Sequence, residues 1–498
     1  MANTAPGLAE PDVRPPYEKE LFGHPVGLYV LFFTEMWERF CYYGMRAILR
    51  YYLVTAAFTD RGAHIVHGNE AVRGFFEKLH GPLDDKQFAS ELTGWYIAGS
   101  YATPVVGGWI ADKFLGQRRS VVIGAIVMAA GQFLLMKDAT FYPGILLLIL
   151  GNGFFKPNIS TQVGSLYKEN DPRRDRAFGI FYVGINLGAF IAPFVCGTLG
   201  EKVGWGLGFG SAGVGLLVGL VIYLSGQKYL APDNRMKEAA RTKLVEDEKA
   251  GFRDAAKKEI ADPPKATPFT REEWEKMFAL VVLCLLNTVF WGVYEQQSGT
   301  IADWALESTE RHVFGWEVPA SWFQAVNPFM IFALTPAINA LWAAQYAKGK
   351  EPGSVTKMAI GCFLLAISFV FMVGGAHYGG ETGKTNMSWL IVMFLFLTLG
   401  ELYLSPVGLS LVTKVSPPRV LSLMMGMWFL SSCFGGYLSG YLGLYWTKMS
   451  KGNFFWMLSG LALVTGILTF ALIVPLRRAL NEHGDQKKEG EKESPEAT

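Results

Sequence analysis

Glu35, Glu38, Arg39, Tyr42, Tyr43 and Arg46 stand at i, i+3, i+4, i+7, i+8 and i+11 within an apolar segment running from Val26 to about residue 58. In an α-helix that spacing gathers all six onto one stripe about 16 Å long. Two carboxylates and two guanidiniums so arranged can hold a charged ligand, exchange a proton or neutralise one another. Mutual neutralisation suits a helix in water, but Leu31, Phe33, Trp37 and Phe40 alongside are residues that lipid or packed helices accept. Four ionisable groups at membrane depth each cost about 2.5–3.5 kcal/mol unless paired or wetted. The stripe reads as the wall of a polar cavity.

Lys156 poses the same problem in another apolar run. It is followed by Pro157 and Asn158 and lies too far from either end of its segment to reach the surface by snorkelling. Proline there also frees a backbone carbonyl. Asn186 is an amide that needs partners if buried, and Gly184 and Gly188 flank it as a small-residue packing face.

The elements that must position these groups are membrane helices. Of the 498 residues, 51% are hydrophobic and 18% charged, where soluble domains carry about 25% charged residues. A net charge of +2 is too balanced to suggest a nucleic-acid partner. Cys41, Cys196, Cys284, Cys362 and Cys433 fall in apolar segments with neither metal-ligand spacing nor a disulfide framework, so no metal or other cofactor is expected. The residues from Gly379 to Thr385 resemble a nucleotide-binding loop, but the spacing between its glycines is one residue short. The first twenty residues lack the apolar core of a signal peptide, and the first membrane segment is expected to direct its own insertion.

Twelve apolar segments of spanning length lie near 26–58, 88–112, 119–136, 142–167, 177–199, 205–226, 276–302, 322–345, 355–375, 387–414, 418–446 and 453–476. The fold class expected is an all-α membrane protein of two six-helix bundles, 21–226 and 276–478, with tails 1–20 and 479–498. The charged stretch 227–275, broken at Pro263 and Pro264, is the linker; it is too polar to span. Lys113, Arg118, Arg119, Lys168, Arg173, Arg174 and Arg176 mark one side of the membrane, and the short loops on the other hold few cations, Lys137, Lys202, Arg311 and Lys384. The positive-inside rule then makes both termini cytoplasmic. The loop from Thr59 to Phe88 carries no further signal.

After the second segment, Gly107, Gly108, Asp112, Gly116, Arg118 and Arg119 resemble the signature loop of the major facilitator superfamily. The glycines permit close packing and a sharp turn, and Asp112 is expected to pair with the basic residues as part of the gating machinery. With the helix 1 stripe, Lys156-Pro157-Asn158 and Phe181-Tyr182 followed by Ile185-Asn186 and Gly188, the sequence is similar to the proton-dependent oligopeptide transporter family. In the second half the resemblance continues through Trp291, Glu295-Gln296, Gln324, Asn327-Pro328, Glu401, Ser405-Pro406, Trp428 and Ser432.

That resemblance implies uptake of di- and tripeptides, driven by a proton gradient rather than by a cofactor. It implies that Arg39 and Lys156 hold the peptide carboxylate and that Glu401, Asn186 and Asn327 receive the ammonium. Tyr42, Tyr43, Tyr101, Trp291, Trp428 and Ser432 would line the pocket, and Arg46 with Glu295 would form a gate between the halves. A zwitterionic ligand needs facing cationic and anionic poles, and the two halves supply one each.

Animal members carry a histidine in the second helix where this chain has Gly94, and its seven histidines lie in tails, loops or at helix ends. Glu35 or Glu38 is therefore expected to carry the coupling proton, with Glu401, coupled to Lys156, as second candidate. The expected partners are di- and tripeptides, protons and the lipid bilayer of the cell (inner) membrane, with the chain working as a monomer. Transport of nitrate or another organic anion, a membrane enzyme and a non-transporting peptide sensor are the alternatives. The stripe stands intact, no nucleophile-and-base constellation sits at membrane depth, and neither tail is long enough for a signalling domain.

Overall fold

The computed structural model describes residues 19–59, 65–168, 171, 173–233, 269–380, 383–417 and 420–473. Residues 234–268 of the expected linker, 1–18 of the first tail and all of the second tail lie outside the described residues. Each expected apolar segment coincides with one long helix. In the first half these are α1 (Val26–Tyr52), α2 (Asp85–Ile110), α3 (Gln117–Leu134), α4 (Phe141–Ser165), α5 (Arg173–Ala192) and α6 (Trp205–Gly226). The second half holds α7 (Arg271–Tyr294), α8 (Val326–Ala347), α9 (Ser354–Gly379), α10 (Ser388–Val415), α11 (Leu421–Gly443) and α12 (Lys451–Ala471). Among the described residues, eight helical stretches, those holding α4 to α10 and α12, are long and apolar enough to cross a membrane by composition alone. Of the remaining helices, α1 carries Glu35, Glu38, Arg39, Arg46 and Arg50.

Local chemistry sets several of the boundaries. Asp84 caps α2 by accepting from the Gln87 N–H at 2.9 Å, while the Gln87 side chain returns to the Asp84 N–H at 3.0 Å. Thr270 and Glu273 do the same for α7. Between α1 and α2, Asn69–His80 forms a helix that sequence reading left as loop. Its 12 residues bury only Asn69 and Phe76, and so short and polar a segment forms no apolar run of spanning length.

In the first bundle α1 packs against α5 and α6, α3 against α4 and α6, and α2 against α4. In the second, α9 packs against α10 and α12, α7 against α11 and α12, and α8 against α10. Each half has its own apolar core: one spans Leu28 to Leu230, with Leu444 added from the other half, and one spans Met277 to Ala462. The halves meet along two seams, α2 with α11 and α5 with α8.

Glycine brings the helix backbones together. A Cβ on Gly188 of α5 would lie 2.1 Å from the Met36 carbonyl oxygen of α1, and one on Gly94 of α2 would lie 2.6 Å from Gly440 Cα of α11. The first contact fixes the cavity wall. The second leaves no room for a histidine at position 94.

Among the described residues, the hydrogen bonds and ion pairs that join the halves all lie at the end where α1 finishes and α2 begins, hereafter the outer end. Arg50 of α1 donates through Nε to Asp303 Oδ1 at 2.8 Å and through Nη2 to Oδ2, with both side chains fully buried. Lys86 pairs with Glu307 at 2.6 Å. Glu201 accepts from the N–H groups of Ala320 and Ser321 at 2.9 and 2.8 Å. Toward the opposite end the cavity wall includes Tyr182, Leu409 and Phe429, which are 44%, 37% and 43% exposed. The molecule is closed at the outer end and open at the other.

Gly188→Val is expected to force α5 away from α1, at an overpacking cost of about 1–3 kcal/mol. Thermal unfolding in detergent should show a midpoint several degrees below wild type. Gly460→Val, which points into open space, should leave the midpoint unchanged. Equal midpoints for the two variants would refute the packing role of Gly188.

Candidate functional site

The halves enclose a central cavity of about 300 Å³. From the first half, α1 supplies Glu35, Arg39, Tyr43 and Arg46, α2 Tyr101, α4 Lys156 and α5 Asn186. Facing them are Trp291 of α7, Glu295 just beyond it, Asn327 of α8, Glu401 of α10, and Trp428 and Ser432 of α11. Residues hundreds of positions apart thus meet on one surface.

The first-half wall is cationic. Arg39 Nε pairs with Glu35 Oε1 at 3.0 Å and bonds Glu38, while its Nη2 is buried without a hydrogen-bond partner. Lys156 Nζ sits 4.2 Å from the centre of the Tyr101 ring. It makes no ion pair among the described residues. A free guanidinium nitrogen and an ammonium on one wall are donors for a carboxylate.

The second-half wall is anionic. Glu401 Oε2 accepts from the Tyr294 hydroxyl at 2.6 Å and from Asn327 Nδ2 at 3.0 Å, and Asn327 also donates to Thr398 at 3.0 Å. Neutral donors orient the carboxylate and leave its charge for a ligand cation. Sequence reading missed Tyr294; its position one helical turn beyond Trp291 and beside Glu295 was the available signal.

Three expectations need correction. Glu38 and Tyr42 belong to the stripe but do not reach the cavity wall. Glu38 is fully buried against Arg39, at the edge of the stripe that turns into the first bundle. Tyr42 stacks on Tyr96 of α2 at 6.2 Å, with the Arg39 and Arg46 guanidiniums 5.2 and 5.6 Å from its ring centre. It backs the two arginines from behind.

Asp112 is exposed and, among the described residues, forms no ion pair with the basic turn. Asp233 occupies that place: it accepts from the Arg118 N–H at 3.3 Å, beside Gly116, whose φ of +79° turns the chain. Arg118 itself donates to the carbonyls of Leu230 and Ala231.

Nor do Lys156 and Glu401 pair; they occupy opposite walls. Asn186 lines the cavity and donates to the Tyr182 carbonyl of its own helix at 3.0 Å. Arg46 and Glu295 do meet, across the halves at the outer end of the cavity, and Arg46 also donates to Ser298 at 2.7 Å.

The model of the POT family matches residues 118–247 and 234–457. The chain is 31% identical to the peptide transporter YePEPT of Yersinia enterocolitica, over 95% of this chain and 98% of that one. It is 31% identical to a di-/tripeptide transporter of Lactococcus lactis, over 93% and 98%. Among solved structures, a peptide transporter POT variant in complex with alafosfalin superposes with a TM-score of 0.76 at 32% identity, covering 93% of this chain and 97% of that one. A POT family transporter in complex with 5-aminolevulinic acid gives 0.76 at 27% identity, over 92% and 98%. An all-α membrane fold of two bundles around a charged cavity defines a carrier. The chain belongs to the POT family, whose members named here are transporters.

Arg46→Met or Glu295→Met alone should leave the partner's charge buried and unpaired, a loss of about 3–5 kcal/mol. The double substitution should recover most of it. Thermal unfolding of the four proteins in detergent measures this coupling; additive losses would show that the pair does not hold the halves together.

Proposed function

We propose that the chain is a symporter that imports di- and tripeptides together with protons by alternating access. The carrying observation is that the cavity presents Arg39 and Lys156 on one wall and Glu401 on the other, with Tyr43, Tyr101, Trp291 and Trp428 between. A peptide ends in a carboxylate and an ammonium whatever its side chains. Opposed charges can fix those constant ends while aromatic walls accept varied side chains. Nitrate or another simple anion would leave Glu401 without a cationic partner.

In this reading Arg39 Nη2 and Lys156 take the carboxylate, and Glu401, with Asn327 and Asn186, takes the ammonium. Tyr294 positions Glu401. The carboxylate of the peptide and that of Glu35 compete for Arg39, which links peptide binding to proton binding at Glu35; Glu38, held inside the bundle by Arg39, supports this exchange from behind. The Arg46–Glu295 pair is the outer gate. Asp112 acts on the other side, where its lack of an ion pair among the described residues suits a contact made only when that side closes.

The chain works as a monomer in the cell (inner) membrane, with 21–226 and 276–478 as its moving units and 227–275 as their linker. The basic loops support cytoplasmic termini, and in this reading the open mouth faces inward. No catalysis and no cofactor are involved; the driving force is the proton gradient.

Uptake into proteoliposomes holding the purified protein tests this. Labelled dipeptide should accumulate only under an inward proton gradient, and unlabelled di- and tripeptides should compete where free amino acids and nitrate do not. Lys156→Ala should abolish accumulation. Glu35→Gln should abolish gradient-driven accumulation while sparing exchange. Accumulation of nitrate and exclusion of peptide would overturn the substrate assignment.

Tyr294→Phe removes one hydrogen bond to a charged group, about 1.5–3 kcal/mol. The KM for dipeptides should rise roughly tenfold or more, and the KM for N-acetylated dipeptides should change little. An equal rise for both would remove Tyr294 from the ammonium site.

A further inference from the structure

The helix Asn69–His80, between α1 and α2, has no part in the scheme above. Three membrane helices hold it, in order along its length. Asn69 at its start accepts from the Tyr142 hydroxyl of α4 at 2.8 Å. The ring of Phe76, in its middle, is centred 5.9 Å from those of Phe88 and Trp95 of α2. The ring of His80, at its end, is centred 5.9 Å from that of Tyr441 of α11.

Its 12 residues make a helix about 18 Å long, which matches two steps of about 8–10 Å between packed helices. An element that meets three spanning helices in turn runs across them. It lies close to the membrane plane, at the outer end.

The surface of this helix divides into three sectors. At about 100° per residue, Asn69, Phe76 and His80 share the one that faces the protein. Glu70, Arg73, Glu77 and Lys78 share a second. There Arg73 pairs with Asp85 at 2.9 Å, and Glu77 accepts from the Leu83 N–H at 3.3 Å. The arc between them, about 100° wide, holds Ala71, Val72, Phe75 and Leu79. Phe75 and Leu79 are 51% and 53% exposed.

Single exposed apolar residues are ordinary, but these two continue a larger surface. Phe75 meets Trp95 at 6.2 Å, and Trp95 meets Tyr437 of α11 at 5.7 Å. Trp95 and Tyr437 are themselves part-exposed, and neither lines the central cavity. Trp95 stands about three turns into α2, inside its apolar span. Phe75 thus reaches a level at which the outer surface of α2 meets lipid, while the charged sector turns away. Tryptophan and tyrosine are the residues that gather where acyl chains give way to headgroups.

We propose that the helix Asn69–His80 is an interfacial membrane anchor, lying in the leaflet at the outer end with Phe75 and Leu79 among the phospholipid acyl chains and Glu70 and Lys78 toward headgroups and water. Such a helix binds through its apolar area and keeps its charges at the surface. The partner is lipid rather than a second copy of the chain. Two half-exposed side chains fall far short of the roughly 800 Å² per partner that a stable protein contact buries, and the surface they continue is one that lipid covers. Because the helix runs from α4 past α2 to α11, the anchor covers the lipid-facing edge of the seam between the halves. The proposal rests on the membrane fold and not on the identity of the substrate.

Nitroxide accessibility tests the depth of each sector. Labels are placed one at a time at Phe75→Cys, Leu79→Cys, Glu70→Cys and Lys78→Cys in a Cys433→Ser background, since the other four cysteines are buried. A label at Val464→Cys, an exposed position midway along α12, calibrates the lipid interior. In liposomes, power saturation compares collisions with oxygen, which concentrates in lipid, and with a water-soluble nickel chelate. The oxygen-to-nickel ratio at 75 and 79 should stand severalfold above that at 70 and 78, toward the value at 464. Ratios at 75 and 79 as low as those at 70 and 78 would place the whole helix in water and overturn the proposal. Labels at 75 and 79 shielded from both reagents would overturn it too, by showing protein, such as a second copy, over the apolar sector. No peptide enters the measurement, so its outcome is independent of the transport assay.

Discussion

A charge held away from water needs an opposite charge, and nearly every distinctive feature of this molecule follows from that requirement. The two helical bundles have separate apolar cores, and lipid offers no hydrophobic reason to press one bundle on the other. Ion pairs and hydrogen bonds at the outer end close the gap: Arg46 with Glu295, Arg50 with Asp303, Lys86 with Glu307. Each pair takes one member from each bundle, so separation of the bundles strands both. The carboxylates of α1 obey the same rule inside one bundle, sharing Arg39.

The fold was legible in the sequence because membrane burial imposes long apolar runs, and the central site because charge inside such runs is costly and therefore informative. Lys156 stood out as an isolated charge in an apolar run and Arg39 as part of a charged stripe, while Glu401 came with the family resemblance; the structure brings all three to one cavity. Which face of a helix looks inward was less legible. Glu38 and Tyr42 share the α1 stripe with Arg39, yet tilt and packing against α2 turn them into the bundle. Pairing partners were hidden for a different reason. Asp303 follows α7 in a short helix, Thr300–Glu307, and only the meeting of the two halves reveals it as the counter-ion of Arg50. Asp233, which supplants Asp112 beside Gly116, sits far along the chain after α6.

The seams show how such a structure can both hold and move. Along α2 and α11 the contact at Gly94 and Gly440 is backbone against backbone, and the side chains of Ile97 and Ser90 rest on Gly436 and Gly443. Glycine contacts of this kind allow close approach without fixing a single arrangement. At the closed end a few polar links add to a small apolar contact, Tyr51 against Ala302 and Ala320. A small number of protonation or ligand events can outweigh so few links, which a carrier requires and a rigid scaffold would prevent.

The same electrostatic rule bears on coupling. An empty cavity with a cationic wall and an anionic wall is tolerable while one mouth is open, because water solvates both. Closing the second mouth expels that water and leaves Lys156 and Glu401 facing each other across the cavity without a direct pair. A zwitterion bridges them and neutralises both at once; a simple anion or cation satisfies one wall and strands the other. Occlusion is then favourable for a ligand with two opposite ends at the right separation. Since a ligand shifts a conformational equilibrium only through its differential affinity for the two states, selectivity and movement arise from one interaction rather than two.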